Sequence, residues 1–283
     1  VIAEHRFEGA EVPLNVAEGA PSGPPIVFFH GVLRCWQDFT PLIPHVEAKR
    51  RVVAPDHRGH GGSGRAAGYR VVDYTRDAAA FVRGALDAPA VVFGHSLGAM
   101  VAAAVAAEVP ERVLAIVMED PPFETMGARI RQTPFHEYFT AVQRVAAAGG
   151  EVEAMAEALG RIEMTGPTGA RVRLAEVRDA ESLRFSARCL TRIDPRVLEP
   201  IVEGRWLEGY ERDAIMRRVQ CPALLIQGDA SAGGMLPDAD GRRVTELMPK
   251  GCRVRLSGVG HLIHQTQPDA VARLVNAFLE SLP

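Results

Sequence analysis

Five short apolar runs punctuate the chain: PPIVFFHG (24–31), RVVAPD (51–56), AVVFGHS (90–96), VLAIVMED (113–120) and ALLIQGD (223–229). Each is apolar at odd and even positions alike, as a strand is when both its faces are buried inside a parallel sheet. RVRLSGVGH (253–261) alternates instead and predicts a further, weaker strand. Residues 1–16 alternate weakly around a Gly-Ala-Glu turn and predict an antiparallel hairpin. Helical spacing fills the gaps at 73–86, in the alanine-rich stretch from Leu97 to Ala107, and at the C-terminus. There Val271, Leu274, Val275, Phe278, Leu279 and Leu282 form one stripe behind Pro268. Strand–helix alternation of this kind predicts an α/β fold, a mostly parallel central sheet with helices on both faces.

The alternation stops between Pro121 and Val219. Phe135, Tyr138, Phe139, Val142 and Val145 make one helical stripe, and Val152, Met155, Ala156, Leu159 and Ile162 make a second. Asp194-Pro195 opens a third, with Val197, Leu198, Ile201 and Val202. These are packing faces, so the chain divides into a first core part (1–120), a helical insertion (121–219) and a second core part (220–283).

Composition narrows the function classes. With 283 residues, 47% hydrophobic content and net charge −3, the chain can bury a large core and lacks the basic stripe of a nucleic-acid binder. No apolar run is long enough to span a bilayer, and the first residues carry charges where a signal peptide needs an apolar stretch. Cys35, Cys189, Cys221 and Cys252 lie far apart in sequence with no metal spacing, which predicts free thiols and a cytoplasmic location. The pairs His57/His60 and His261/His264 lack a third ligand at suitable spacing, so no metal is expected.

The chemistry concentrates at Gly94-His95-Ser96-Leu97-Gly98. A serine hydroxyl is a poor nucleophile unless a base, exposure and oxyanion donors are supplied. Here the serine leaves an apolar strand and enters a helix within a few residues, with small residues two positions to each side. That is the setting of a nucleophile elbow, although the same serine could simply cap the helix.

With HGV (30–32), DHRGHGGSG (56–64), GHSLG (94–98), PERV (110–113), LLIQGD (224–229) and GVGHLIH (258–264), nearly the whole chain resembles the α/β-hydrolase fold family, in its serine-nucleophile branch with a helical cap. The resemblance implies Ser96 as nucleophile and His261 as base, since His261 comes late and follows a strand through a glycine turn. It implies backbone N–H groups of Leu97 and Val32 as the oxyanion hole. It does not fix the acid. The family's usual place after ALLIQG is Ser231 here, with Asp229 two residues early. A second family location, the end of the preceding strand, holds Asp120, as in haloalkane dehalogenases. Position favours Asp120, with Asp229 as the alternative; Glu119 should face the opposite side of the strand. Dehalogenases and epoxide hydrolases attack with aspartate at the elbow, so the resemblance implies acyl chemistry through serine. An esterase or lactonase acting on a small, apolar ester without metal or cofactor is expected. Carbon–carbon bond hydrolysis, perhydrolysis, acyl transfer or ligand binding with little turnover remain as alternatives.

Overall fold

A computed structural model describes residues 2–20, 23–166 and 169–282. Its main sheet has eight strands: β1 (Ala3–Phe7), β2 (Leu14–Glu18), β3 (Pro25–Phe29), β4 (Arg51–Pro55), β5 (Ala90–His95), β6 (Val113–Glu119), β9 (Ala223–Gln227) and β10 (Gly251–Arg255). The short pair β7 (Glu163–Thr165) and β8 (Arg171–Arg173) forms a separate hairpin. The spatial order is β1-β2-β4-β3-β5-β6-β9-β10. β2 pairs antiparallel with β1 and β4, and every other neighbouring pair is parallel.

The apolar runs became strands buried on both faces. Val27, Phe29 and Val92 enter one core, while Ile26, Phe28, Val91 and Phe93 enter the other across the sheet. Neighbouring residues on a strand point to opposite sides, so each layer of helices seals one set. The helix Leu97–Glu108 is buried almost throughout and packs on β5 and β6. Its alanines let the backbone come close to the sheet, and a helix apolar all round needs such a central place. The C-terminal helix Pro268–Glu280 covers the other face with Val271 and Val275.

Between β6 and β9 the chain leaves the sheet. Helices Pro134–Ala148 and Val152–Gly160 carry the first two apolar stripes read from the sequence, with Phe139, Val142, Met155 and Leu159 buried, and a further helix, Ala180–Leu190, lies where no stripe was read. Two further details differ from that reading. The third stripe is a 3-10 turn, Pro195–Leu198, running into a single helical turn, Glu199–Val202. The β7–β8 hairpin also interrupts the helices. Strands of three residues cannot display a period of two over the four to eight positions that make it legible.

The parallel strands β3, β5, β6 and β9 all end on one edge of the sheet, delivering His30, Ser96, Asp120 and Gly228 in turn. That edge, at the carboxyl ends of parallel strands, is where open α/β sheets place their ligands.

Candidate active site

Ser96 sits between β5 and the helix Leu97–Glu108 with φ 55° and ψ −114°, a conformation that non-glycine residues rarely adopt. It caps nothing: no side-chain hydrogen bond reaches the helix N-terminus. Its N–H donates to Glu119 O (2.9 Å), which ties the turn to the end of β6. The flanking glycines are a steric requirement. A Cβ on Gly94 would lie 2.0 Å from Gly98 O, and one on Gly98 would lie 1.8 Å from Phe29 O. So strained a serine on so tight a turn is the expected geometry of an elbow.

Asp120, the first residue past β6, is fully buried and also has positive φ (43°). Its Oδ2 accepts from His261 Nδ1 (2.6 Å) and from Met235 N–H (2.7 Å), and its Oδ1 accepts from Gly228 N–H (3.0 Å). Three donors thus hold the carboxylate in place. Asp229, the alternative, lies elsewhere: it is half-buried, caps the 3-10 turn Ala230–Ala232, and accepts from Ser231 and from Gly258 N–H (3.0 Å). These bonds, the one from Gly258 foremost, pull its carboxyl down to about 2. Asp229 therefore braces the loop that carries His261 and makes no hydrogen bond to the imidazole among the described residues.

The segment after β3 closes on the serine. A Cβ on Gly31 would lie 3.2 Å from Ser96 Cβ, so Val32 follows directly beside the elbow. Among the described residues, no backbone carbonyl takes the Val32 or Leu97 N–H. Leu33 has φ 67°, and this turn is held from below, because its N–H donates to His60 Nε2 (3.2 Å). The glycine-rich loop DHRGHGGSG is thus a scaffold for the turn. Asp56 accepts from Trp36 N–H and Gly62 N–H, while His57 N–H donates to His30 Nε2 (3.0 Å). Burial lowers His30 to about 4 and His60 to about 3, and pushes His57 well down, so all three are neutral near pH 7.

A second carboxylate–imidazole pair lies behind the first, and the sequence reading gave it no role. Glu119 faces the opposite side of β6 from Asp120, as strand alternation requires, and accepts from His264 Nδ1 (2.8 Å) and N–H (3.1 Å). The other ring nitrogen of His264 lies 3.3 Å from Asp38 Oδ2, and Asp38 Oδ1 also takes Arg34 Nε (2.7 Å) and Gln265. Burial opposes charge on His264, but Glu119 and Asp38 on its two sides outweigh it and push it up to about 10. Asp38 stays ionised despite its burial because Arg34 and His264 face it. His95 fills the gap: its Nε2 bonds to His261 O (3.0 Å), and its ring lies 4.7 Å from that of His261 and 4.9 Å from that of His264. Burial, followed by the two neighbouring histidines, pushes His95 well down, so it is neutral.

Asp38, His95 and His264 turn donor atoms toward one another within 4.8 Å, a grouping that could hold a metal ion. A His264 protonated on both nitrogens has no lone pair to give, so the charges already present suit a proton there better than a metal. Only three-dimensional contact reveals this trio, since its members lie at 38, 95 and 264.

A family profile described as alpha/beta hydrolase fold matches residues 24–268. The 2-(acetamidomethylene)succinate hydrolase of Mesorhizobium japonicum is similar, 26% identical over 98% of this chain and 95% of its own length. A crystal structure of E-2-(acetamidomethylene)succinate hydrolase superposes with TM-score 0.76 at 23% identity, over 99% of this chain and all of that one. The enol-lactonase of Burkholderia xenovorans LB400 superposes with TM-score 0.74 at 20% identity, over 98% of this chain and all of that one. No helix among the described residues is long and apolar enough to cross a membrane.

Proposed function

Because the chain belongs to the alpha/beta hydrolase fold family, a family with hydrolase members similar to this chain, we propose that it is a serine hydrolase that cleaves an ester-like carboxyl derivative through an acyl-enzyme. The observation that carries this reading is the 2.6 Å contact between His261 Nδ1 and a buried Asp120, beside a strained serine at the head of a helix. With Nδ1–H committed to Asp120, the lone pair of the imidazole is on Nε2, the nitrogen that a base presents to a nucleophile.

In this mechanism His261 takes the Ser96 proton as Oγ attacks the substrate carbonyl. The oxyanion is held by the N–H groups of Val32 and Leu97, the latter at the positive end of the helix Leu97–Glu108. Asp120 stabilises the imidazolium formed. His261 then protonates the leaving group, and water enters by the reverse sequence to release the acid. Neither metal nor cofactor takes part. Residues 121–219 act as a cap over the site, setting which acyl groups enter. The cap meets the segment after Val32 directly: Arg34 donates to Ser186 Oγ (3.2 Å), and its guanidinium lies 4.6 Å from the Phe185 ring.

The test is hydrolysis of p-nitrophenyl acetate and butyrate, a lactone series and an acetamido-acid panel by wild type and Ser96→Ala. Turnover of esters or lactones that disappears in Ser96→Ala supports the reading. Turnover unchanged in Ser96→Ala, or none in wild type on any carboxyl derivative, rejects it.

A further inference from the structure

Four cysteines scattered through the sequence become, in three dimensions, one close pair and two separate thiols. Cys35 Sγ and Cys189 Sγ are 3.4 Å apart, both buried, across 154 positions of chain. The two come from different parts of the chain, one beside the end of β3 and the other in the insertion. Cys35 lies three residues beyond Val32, at the start of the 3-10 turn Trp36–Phe39. Cys189 is on the insertion helix Ala180–Leu190. The same helix supplies Phe185 and Ser186 to Arg34, so three side-chain contacts clasp this helix to one short segment of the core.

We propose that Cys35 and Cys189 form a dithiol site that closes to an internal disulfide on reaction with a low-molecular-weight disulfide, stapling the insertion to the segment beside Ser96. The chemistry balances in two exchanges. One thiol, as thiolate, attacks the small disulfide, forms a mixed disulfide and expels one small thiol. The second cysteine, as thiolate, attacks the protein-side sulfur of that mixed disulfide, expelling a second small thiol. The protein loses two protons and two electrons, and the small disulfide gains them. An S–S bond is about 2.0 Å long, so the sulfurs must approach by little more than about 1 Å from their present separation.

The setting also dictates how the reaction proceeds. The hydrogen bond between the thiols, and then their burial, push Cys35 far above its ordinary value. In the closed protein the Cys35 sulfur is not a ready thiolate, and both cysteines are buried away from a reagent in solution. The first exchange therefore waits for the Ala180–Leu190 helix to lift from the Arg34–Cys35 segment, while the second is fast once the helix returns. Closing so long a loop constrains the unfolded chain, so the oxidised protein should be the more stable form.

The experiment uses the full-length protein carrying Cys221→Ser and Cys252→Ser, which removes the half-buried and exposed thiols that would otherwise react first. Native protein is incubated with oxidised glutathione, quenched with an alkylating agent and analysed by peptide mass spectrometry under non-reducing conditions. The expected product is a peptide joining Cys35 to Cys189 without bound glutathione, a higher thermal midpoint, and restoration of both thiols by dithiothreitol. Adding Cys189→Ser should abolish both the joined peptide and the stabilisation. Two free thiols after prolonged native incubation, glutathione retained on Cys35 without a joined peptide, or a lower thermal midpoint in the joined form would each overturn the proposal. None of these readouts depends on the reaction catalysed, so the outcome stands apart from the hydrolase reading.

Discussion

Replacing Asp120 with asparagine changes one atom in a carboxyl that three donors address. Oδ2 receives His261 Nδ1 and Met235 N–H, and Oδ1 receives Gly228 N–H. An amide offers one acceptor oxygen and one donor NH2. If the NH2 takes the Oδ2 place it meets Met235 N–H head-on. His261 Nδ1 must then become the acceptor, which puts the ring proton on Nε2, the nitrogen that has to take the serine proton in the proposed mechanism. If the NH2 takes the Oδ1 place, it meets Gly228 N–H instead and the tautomer survives, but no negative charge remains to stabilise an imidazolium. Either way a buried backbone donor is stranded, at about 1–3 kcal/mol, and the thermal midpoint falls by several degrees. The kinetic effect is larger. A wrong tautomer in this type of triad costs about 10⁴ in kcat, roughly 5.5 kcal/mol of transition-state stabilisation. Asp229→Asn strands no acceptor of His261 and should keep most activity. Steady-state hydrolysis of p-nitrophenyl esters by both variants, with circular-dichroism melts, separates the two. An Asp120→Asn enzyme within about tenfold of wild type, alongside a dead Asp229→Asn enzyme, would refute the assignment.

Three further expectations follow from the same structure. His264 holds its proton up to about pH 10 in the folded protein but only to its ordinary range near 6.5 when unfolded. Its contribution is therefore complete below pH 6.5 and is lost as pH rises toward 10; urea midpoints should fall over that window, with a shallower fall in His264→Gln. His30 and His60 behave oppositely, because folding lowers them to about 4 and about 3. Their contribution is complete above pH 6.5 and is lost as pH falls toward 3, so midpoints should decline on the acid side as well. Arg58 is buried and bidentate to buried Asp77 (2.5 and 2.7 Å). Arg58→Met leaves that carboxylate unpaired and should destabilise the protein by about 3–5 kcal/mol, with recovery in Arg58→Met/Asp77→Leu. A mild Arg58→Met phenotype in chemical denaturation would contradict the pairing.

Much of the architecture was legible because its signals are local. An unbroken apolar run bounded by turn residues such as Gly, Pro or Asp reads as a buried strand wherever it sits, and five such runs became β3, β4, β5, β6 and β9. Gly94 and Gly98 were legible for a similar reason: the crowding that demands them lies within the turn and the strand beside it. The β7–β8 hairpin was too short to leave a period. Asp38, His95 and His264 left no signal at all, since they meet from a 3-10 turn, a strand end and a helical turn far apart in the sequence, and the contact of Cys35 with Cys189 spans a core segment and the insertion. His95, adjacent to Ser96 in the sequence, bonds through Nε2 to the backbone carbonyl of His261 (3.0 Å), a contact too distant in the chain for any local pattern to announce. Sequence position alone left Asp120 and Asp229 in competition; the geometry differs between them because the Asp120 carboxylate meets the His261 imidazole, whereas that of Asp229 meets the Gly258 backbone of the same loop.

The most direct measurement is covalent labelling with a fluorophosphonate, read by peptide mass spectrometry. An activated serine predicts one rapid adduct, on Ser96, lost in Ser96→Ala and slowed by orders of magnitude in His261→Ala. An unlabelled wild-type protein, or an adduct on another serine that persists in Ser96→Ala, would contradict the claim that Ser96 is the nucleophile.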